Sequence, residues 1–101
     1  VTPRVGGRMK RYADLHGDSG VVAYALLPKA IAVEFRSGAV YVYTADSAGP
    51  ARLARMRRLA TSGRGLSTYI SRHAHDRYAE VHDDRTQWEA AQASRHPTPK
   101  A

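Results

Sequence analysis

The sequence predicts a small α+β domain, a three-stranded antiparallel meander followed by two short helices packed on one of its faces, with flexible termini. Three observations predict it. Thirteen of the 17 Leu, Ile, Val and Phe residues lie between Val21 and Ile70 in a chain of 101, so the material for one core is confined to the middle. Three short runs rich in Val, Tyr, Phe and Ile follow one another across 21–44 with turn residues between them, as consecutive hairpins require. Pro50 and Gly63 then bracket a stretch with apolar residues at helical spacing.

Residues 1–18 carry Thr2-Pro3, Gly6-Gly7 and scattered basic residues without periodicity, and read as a flexible lead-in. The expected strands are Val21 to Leu26, Ile31 to Arg36 and Ala39 to Thr44, separated by Leu27-Pro28-Lys29-Ala30 and by Ser37-Gly38. In the first helix Leu53, Met56, Leu59 and Ala60 form the apolar stripe. Ser67 is the expected N-cap of the second, with Tyr69, Ile70 and His73 as its apolar side. The domain therefore spans 19–78. Within 79–101, Asp83 to Ser94 has helix-forming composition with Trp88 as its one large anchor, and His96-Pro97-Thr98-Pro99 is a tail.

Strand parity hangs on the Ser37-Gly38 turn. A two-residue turn sets Glu34 opposite Tyr41 and turns Tyr41 and Tyr43 away from Ile31, Val33 and Phe35, as a possible base-stacking platform. A three-residue loop over Arg36-Ser37-Gly38, with Gly in the left-handed position, pairs Val33 with Tyr41 and brings both tyrosines onto the Phe35 face. Ser-Gly is a poorer two-residue turn than Asn-Gly, which favours the second arrangement and buried tyrosines with phenol oxygens at the margin.

Charge narrows the function. Sixteen Lys and Arg against nine Asp and Glu give a net charge of +7 and a pI near 10.3, a balance suited to polyanionic partners. Arginine outnumbers lysine thirteen to three; with the abundant alanine, that ratio is also what a GC-rich genome writes. No cysteine is present, which excludes disulfides, thiolate zinc sites and cysteine nucleophiles. No apolar run is long enough to cross a membrane and none resembles a secretion signal, so a cytoplasmic protein without membrane contact is expected.

Tyr41-Val42-Tyr43, between the Ile31-Ala32-Val33-Glu34-Phe35 strand with its Ser37-Gly38 turn and the Leu53 to Ala60 helix, resembles the YxY centre of the KTSC domain. That family is named for its occurrence at the C-terminus of some lysyl-tRNA synthetases and also occurs as small free-standing bacterial proteins. The resemblance runs from about Ser19 to Tyr78 and takes in Tyr24, Gly63, Ile70 and Tyr78. Departures are Ala25 where the family often has Asp or Asn, Ser37 where it often has Asn, and Thr68 near a frequent Asn, so a role carried by that last amide is not transferred. The residue between the tyrosines is often polar in the family, which again implies inward tyrosines, with Tyr41 and Tyr43 as structural motif residues. A small α+β domain is implied, and the synthetase context suggests RNA.

Several constellations invite chemistry. Gly17-Asp18-Ser19-Gly20 beside His16 looks like the nucleophile segment of trypsin-like proteases, but that chemistry needs a base and oxyanion pocket on a far larger scaffold; a glycine turn explains the same residues. His73-Ala74-His75-Asp76 offers metal ligands, yet positions two apart on a helix point to different sides. No catalytic residue, metal site or cofactor is expected, and the chain is read as non-enzymatic. Arg52, Arg55, Arg57, Arg58, Arg64, Arg72 and Arg77 set seven positive charges against Asp76 alone. Solvation accounts for Arg55 and Arg58, which lie opposite the apolar stripe. It accounts less well for Arg52, whose charge in the first helical turn opposes the macrodipole. Phosphate contact by Arg52, Arg55, Arg58, Arg64, Arg72 and Arg77 is the leading expectation, with RNA or another nucleic acid as partner. The alternative is a protein-interaction module that docks through an edge strand or the Trp88 segment.

Overall fold

The computed structural model describes residues 9–15 and 20–95. Its backbone is one antiparallel sheet in sequential order: β1 (Lys10–Arg11), β2 (Val21–Leu27), β3 (Ala30–Phe35), β4 (Val40–Thr44) and β5 (Glu80–His82). Between β4 and β5 run α1 (Ala45–Ala48), α2 (Pro50–Ser62), α3 (Leu66–Tyr69) and a π-helix (Ile70–Ala74), and α4 (Arg85–Arg95) ends the fold. The α+β class and the central meander are as expected. The sheet, however, has five strands rather than three, and helices cover both of its faces rather than one. Lead-in residues 1–8 and 16–18 lie outside the described residues, whereas 9–15 bring Lys10 opposite Tyr24 and bury Tyr12.

The strands explain why one helical layer is insufficient. In β2, β3 and β4 both alternating sets of side chains are apolar, apart from Glu34 and the terminal Thr44, so each face needs cover. Tyr24, Ile31, Val33 and Tyr43 face the α2 side, where they pack with Leu53, Met56 and Ala60 and with Leu66, Ile70 and Ala74. Ala25, Ala30, Ala32, Val40 and Val42 face the other way, and Trp88 of α4 lies on them at 2% exposure. A large indole fills the shallow bed left by small side chains. Arg85 holds the helix over the sheet through an ion pair with Glu34.

Turn chemistry sets the register. Val33 pairs with Tyr41 and Ile31 with Tyr43, while the Phe35 amide donates to the Ala39 carbonyl at 2.9 Å across a loop with Gly38 at φ +101°. This is the three-residue arrangement, and Tyr43 is accordingly buried at 1% exposure. The β2–β3 turn places Lys29 at φ +58°, a left-handed site for a side chain that gains nothing there. β5 escaped the sequence reading because its one apolar residue, Val81, is exposed. It joins by main-chain bonding, Tyr41 opposite Val81.

The helices begin and end for local reasons. Thr44 and Ser47 cap α1 reciprocally, each side chain accepting from the other's amide at 2.9 and 3.0 Å. Pro50 opens α2, and Gly63 closes it at φ +80°. A Cβ on Gly63 would stand 2.6 Å from that of Ala13, so glycine admits both the left-handed cap and the close pass of the N-terminal segment. The second helical stretch starts at Leu66 after Gly65, not at an N-cap Ser67. Its buried residues are Leu66, Ile70 and Ala74, and His73 is exposed. A spacing of four overshoots the α-helical turn by about 40° each time; the wider π turn keeps Ala74 on the core side.

Candidate functional site

The α2 layer is strongly basic. Residues 50–75 contain six arginines and no carboxylate, Asp46 of α1 and Asp76 beside Arg77 being the acids that flank them, whereas 80–89, from β5 into α4, contain four of the nine acids. Arg55, Arg58, Arg64, Arg72 and Arg77 are exposed, and none has a carboxylate partner among the described residues. They lie on α2, the loop after it, the π-helix and the segment beyond, elements that pack on one sheet face.

Two arginines of this layer do something else. Arg52 donates from Nε to the His73 carbonyl at 3.0 Å and from a terminal nitrogen to Ala48 at 3.4 Å. The first-turn cation that opposes its own helix thus satisfies carbonyls near the ends of α1 and the π-helix, where a positive charge is favoured. Its guanidinium is half-buried and tied to the main chain, in contrast to the five exposed arginines. Arg57 donates to the carbonyls of Leu27 and Ala30 at 2.6 and 2.8 Å and so clamps both sides of the β2–β3 turn, which Ala45 also holds through the Lys29 carbonyl.

The second feature is a cleft of about 520 Å³ between the β3–β4 hairpin end and the π-helix. Phe35, Tyr41 and Tyr78 stand edge to face along it, with ring centroids 5.4 and 4.9 Å apart. Tyr43 lines it from the core side, and Ser71, His75 and Asp76 supply polar groups from the π-helix and just beyond. The Tyr43 hydroxyl has no hydrogen-bond partner among the described residues. Burial, with the Tyr41 and Tyr78 phenols adding to it, pushes that hydroxyl well above its ordinary range, so it remains a donor at neutral pH.

No protein-family model, curated protein or solved structure matches the chain. The site is therefore described by its own chemistry. Tyr41 and Tyr43 share the Phe35 face; Tyr43 is buried and meets the cleft from the core side, and Tyr41 is only partly buried. His73 lies against Tyr69, with centroids 4.8 Å apart, while His75 turns to the cleft. The Gly17-Asp18-Ser19 segment with His16 lies outside the described residues. Trp88, a candidate docking anchor, has its ring against its own sheet. The cleft was missed in the sequence because its lining comes from four separate segments. A signal was present in the aromatic positions 35, 41, 43 and 78, once the three-residue loop placed 35, 41 and 43 on one face.

Proposed function

We propose that the chain is a small non-enzymatic module, of the kind the KTSC resemblance implies, that binds single-stranded RNA through the basic helical layer. The observation that carries this reading is the imbalance of charge on the helical layer: seven arginines over 52–77 against Asp76 alone, with four of the nine acids gathered in 80–89. Scattered surface charge serves solubility equally well with both signs interspersed. Five exposed, unpaired guanidiniums on one layer instead match the spaced, planar donors that phosphate contact uses. Arg52 and Arg57 contribute positive potential while holding the scaffold, and Arg55, Arg58, Arg64, Arg72 and Arg77 make the contacts. Fluorescence anisotropy with a labelled RNA of about twelve nucleotides tests the reading. The Arg55→Glu/Arg58→Glu double variant is expected to lose most of the affinity with its unfolding midpoint nearly unchanged, because both side chains are exposed. Equal binding by wild type and double variant would remove the helical layer from consideration.

A further inference from the structure

The cleft at Tyr43 holds a donor without a partner among the described residues. Tyr43 is 1% exposed as a residue, and a phenol that reaches the edge of a core ordinarily finds an acceptor in the protein or in water. Here it lines an open cleft instead. Around it stand the edge-to-face rings of Phe35, Tyr41 and Tyr78, and Tyr78 is 39% exposed. The π turn, a local irregularity often found at functional sites, leads Ser71 and His75 into the same space. The volume suits a small planar group with hydrogen-bonding edges. Charge identifies the carrier: Arg72 adjoins Ser71, and Arg77 sits between the cleft residues Asp76 and Tyr78.

We infer that this cleft receives one unstacked base of a single-stranded RNA, its ring against Tyr41 and Tyr78 and its edge accepting from the Tyr43 hydroxyl, while Arg72 and Arg77 meet the flanking phosphates. The inference rests on the RNA-binding reading and adds to it a base-dependent component. Ser71 and Asp76 provide further donors and acceptors for a base edge, and aromatic contact works for any base because each has a π face.

The test compares two probes of equal length: a single-stranded RNA and an oligomer carrying abasic ribose phosphate at every position. Wild type is expected to bind the RNA about tenfold or more tightly than the abasic strand, the scale of one base–aromatic contact. Tyr43→Phe removes only an oxygen that bonds nothing among the described residues, so its urea midpoint should not fall. Its RNA affinity should drop about three- to tenfold, with abasic binding unchanged. Tyr78→Ala, at an exposed position, should likewise cut RNA affinity and spare the abasic strand. Equal affinity of wild type for both probes overturns the base pocket and leaves phosphate binding standing. A base preference that survives both variants also overturns it, since the base is then read elsewhere. No affinity for either probe overturns both readings.

Discussion

Replacing Trp88 by alanine probes the part of the fold that the sequence least prepares one for. The indole is 2% exposed and rests on Ala25, Ala30, Ala32, Val40 and Val42. Truncating a buried tryptophan costs about 3–5 kcal/mol. One feature of this site reduces that figure: Nε1 is buried without a hydrogen-bond partner among the described residues, and deleting an unsatisfied donor returns about 1 kcal/mol or more. The expected net loss is therefore about 2–4 kcal/mol, a large share of the stability of so small a domain. Urea titration followed by far-UV circular dichroism measures it, since the variant has no tryptophan left to report. Trp88→Phe keeps a ring on the alanine bed and drops the orphan N–H, so it should cost distinctly less than alanine. Wild-type emission should be blue-shifted. A loss under about 1 kcal/mol for Trp88→Ala, with solvent-like wild-type emission, would refute the docking of α4 and the two-layered cover of the sheet.

Other substitutions test separate parts of the argument. Arg57→Ala should cost about 1.5–3 kcal/mol in urea titration, because it removes two charge-assisted bonds to the Leu27 and Ala30 carbonyls, and Arg57→Lys should rescue it only in part, lacking the planar fork. Lys29→Gly should raise the thermal midpoint, relieving a left-handed residue worth about 1 kcal/mol; a lower midpoint would contradict the turn geometry. Gly63→Ala should destabilise by about 2 kcal/mol or more, through φ +80° and the 2.6 Å approach to Ala13. The raised Tyr43 hydroxyl pKa means that the folded state holds this proton more tightly than the unfolded chain. Stability from this group is complete below the ordinary tyrosine range near 10 and is lost as pH rises beyond it. Tyr43→Phe should flatten that alkaline limb, and an unaltered limb would show that another group causes it.

The central hairpins were legible because Val, Tyr, Phe and Ile cluster in 21–44 and because Ser37-Gly38 is a turn that Gly38 can complete at positive φ. The same reasoning carried the Tyr43 burial, since one register choice fixes every side chain on β4. α2 was legible from Pro50, Gly63 and its stripe. What stayed hidden was held by main-chain pairing or by shape. β1 and β5 are two and three residues long and carry no alternating pattern. Tyr12, whose phenol oxygen accepts from the Leu66 amide at 3.2 Å, is the one buried anchor in a segment without periodic pattern. The cover of the second face was written in Ala25, Ala32, Val40 and Val42, whose lack of charge leaves no solvated side, but alanine reads as neutral composition rather than as a seat for Trp88. In the candidate site, exposure of Arg55 and Arg58 followed from the helical wheel. The structural bonds of Arg52 to His73 and of Arg57 to Leu27 and Ala30 did not, because those carbonyls lie 21 to 30 residues away.

The salt dependence of RNA binding tests the central claim most directly. Five exposed arginines on one layer, four or five of them on phosphates, predict that log affinity for a single-stranded RNA falls with log salt at a slope of roughly −3 between about 50 and 200 mM. In the Arg55→Glu/Arg58→Glu variant the residual slope should be shallower by about half. A wild-type slope near zero, or no detectable binding at the low-salt end, would contradict the assignment of the helical layer as a phosphate-binding surface.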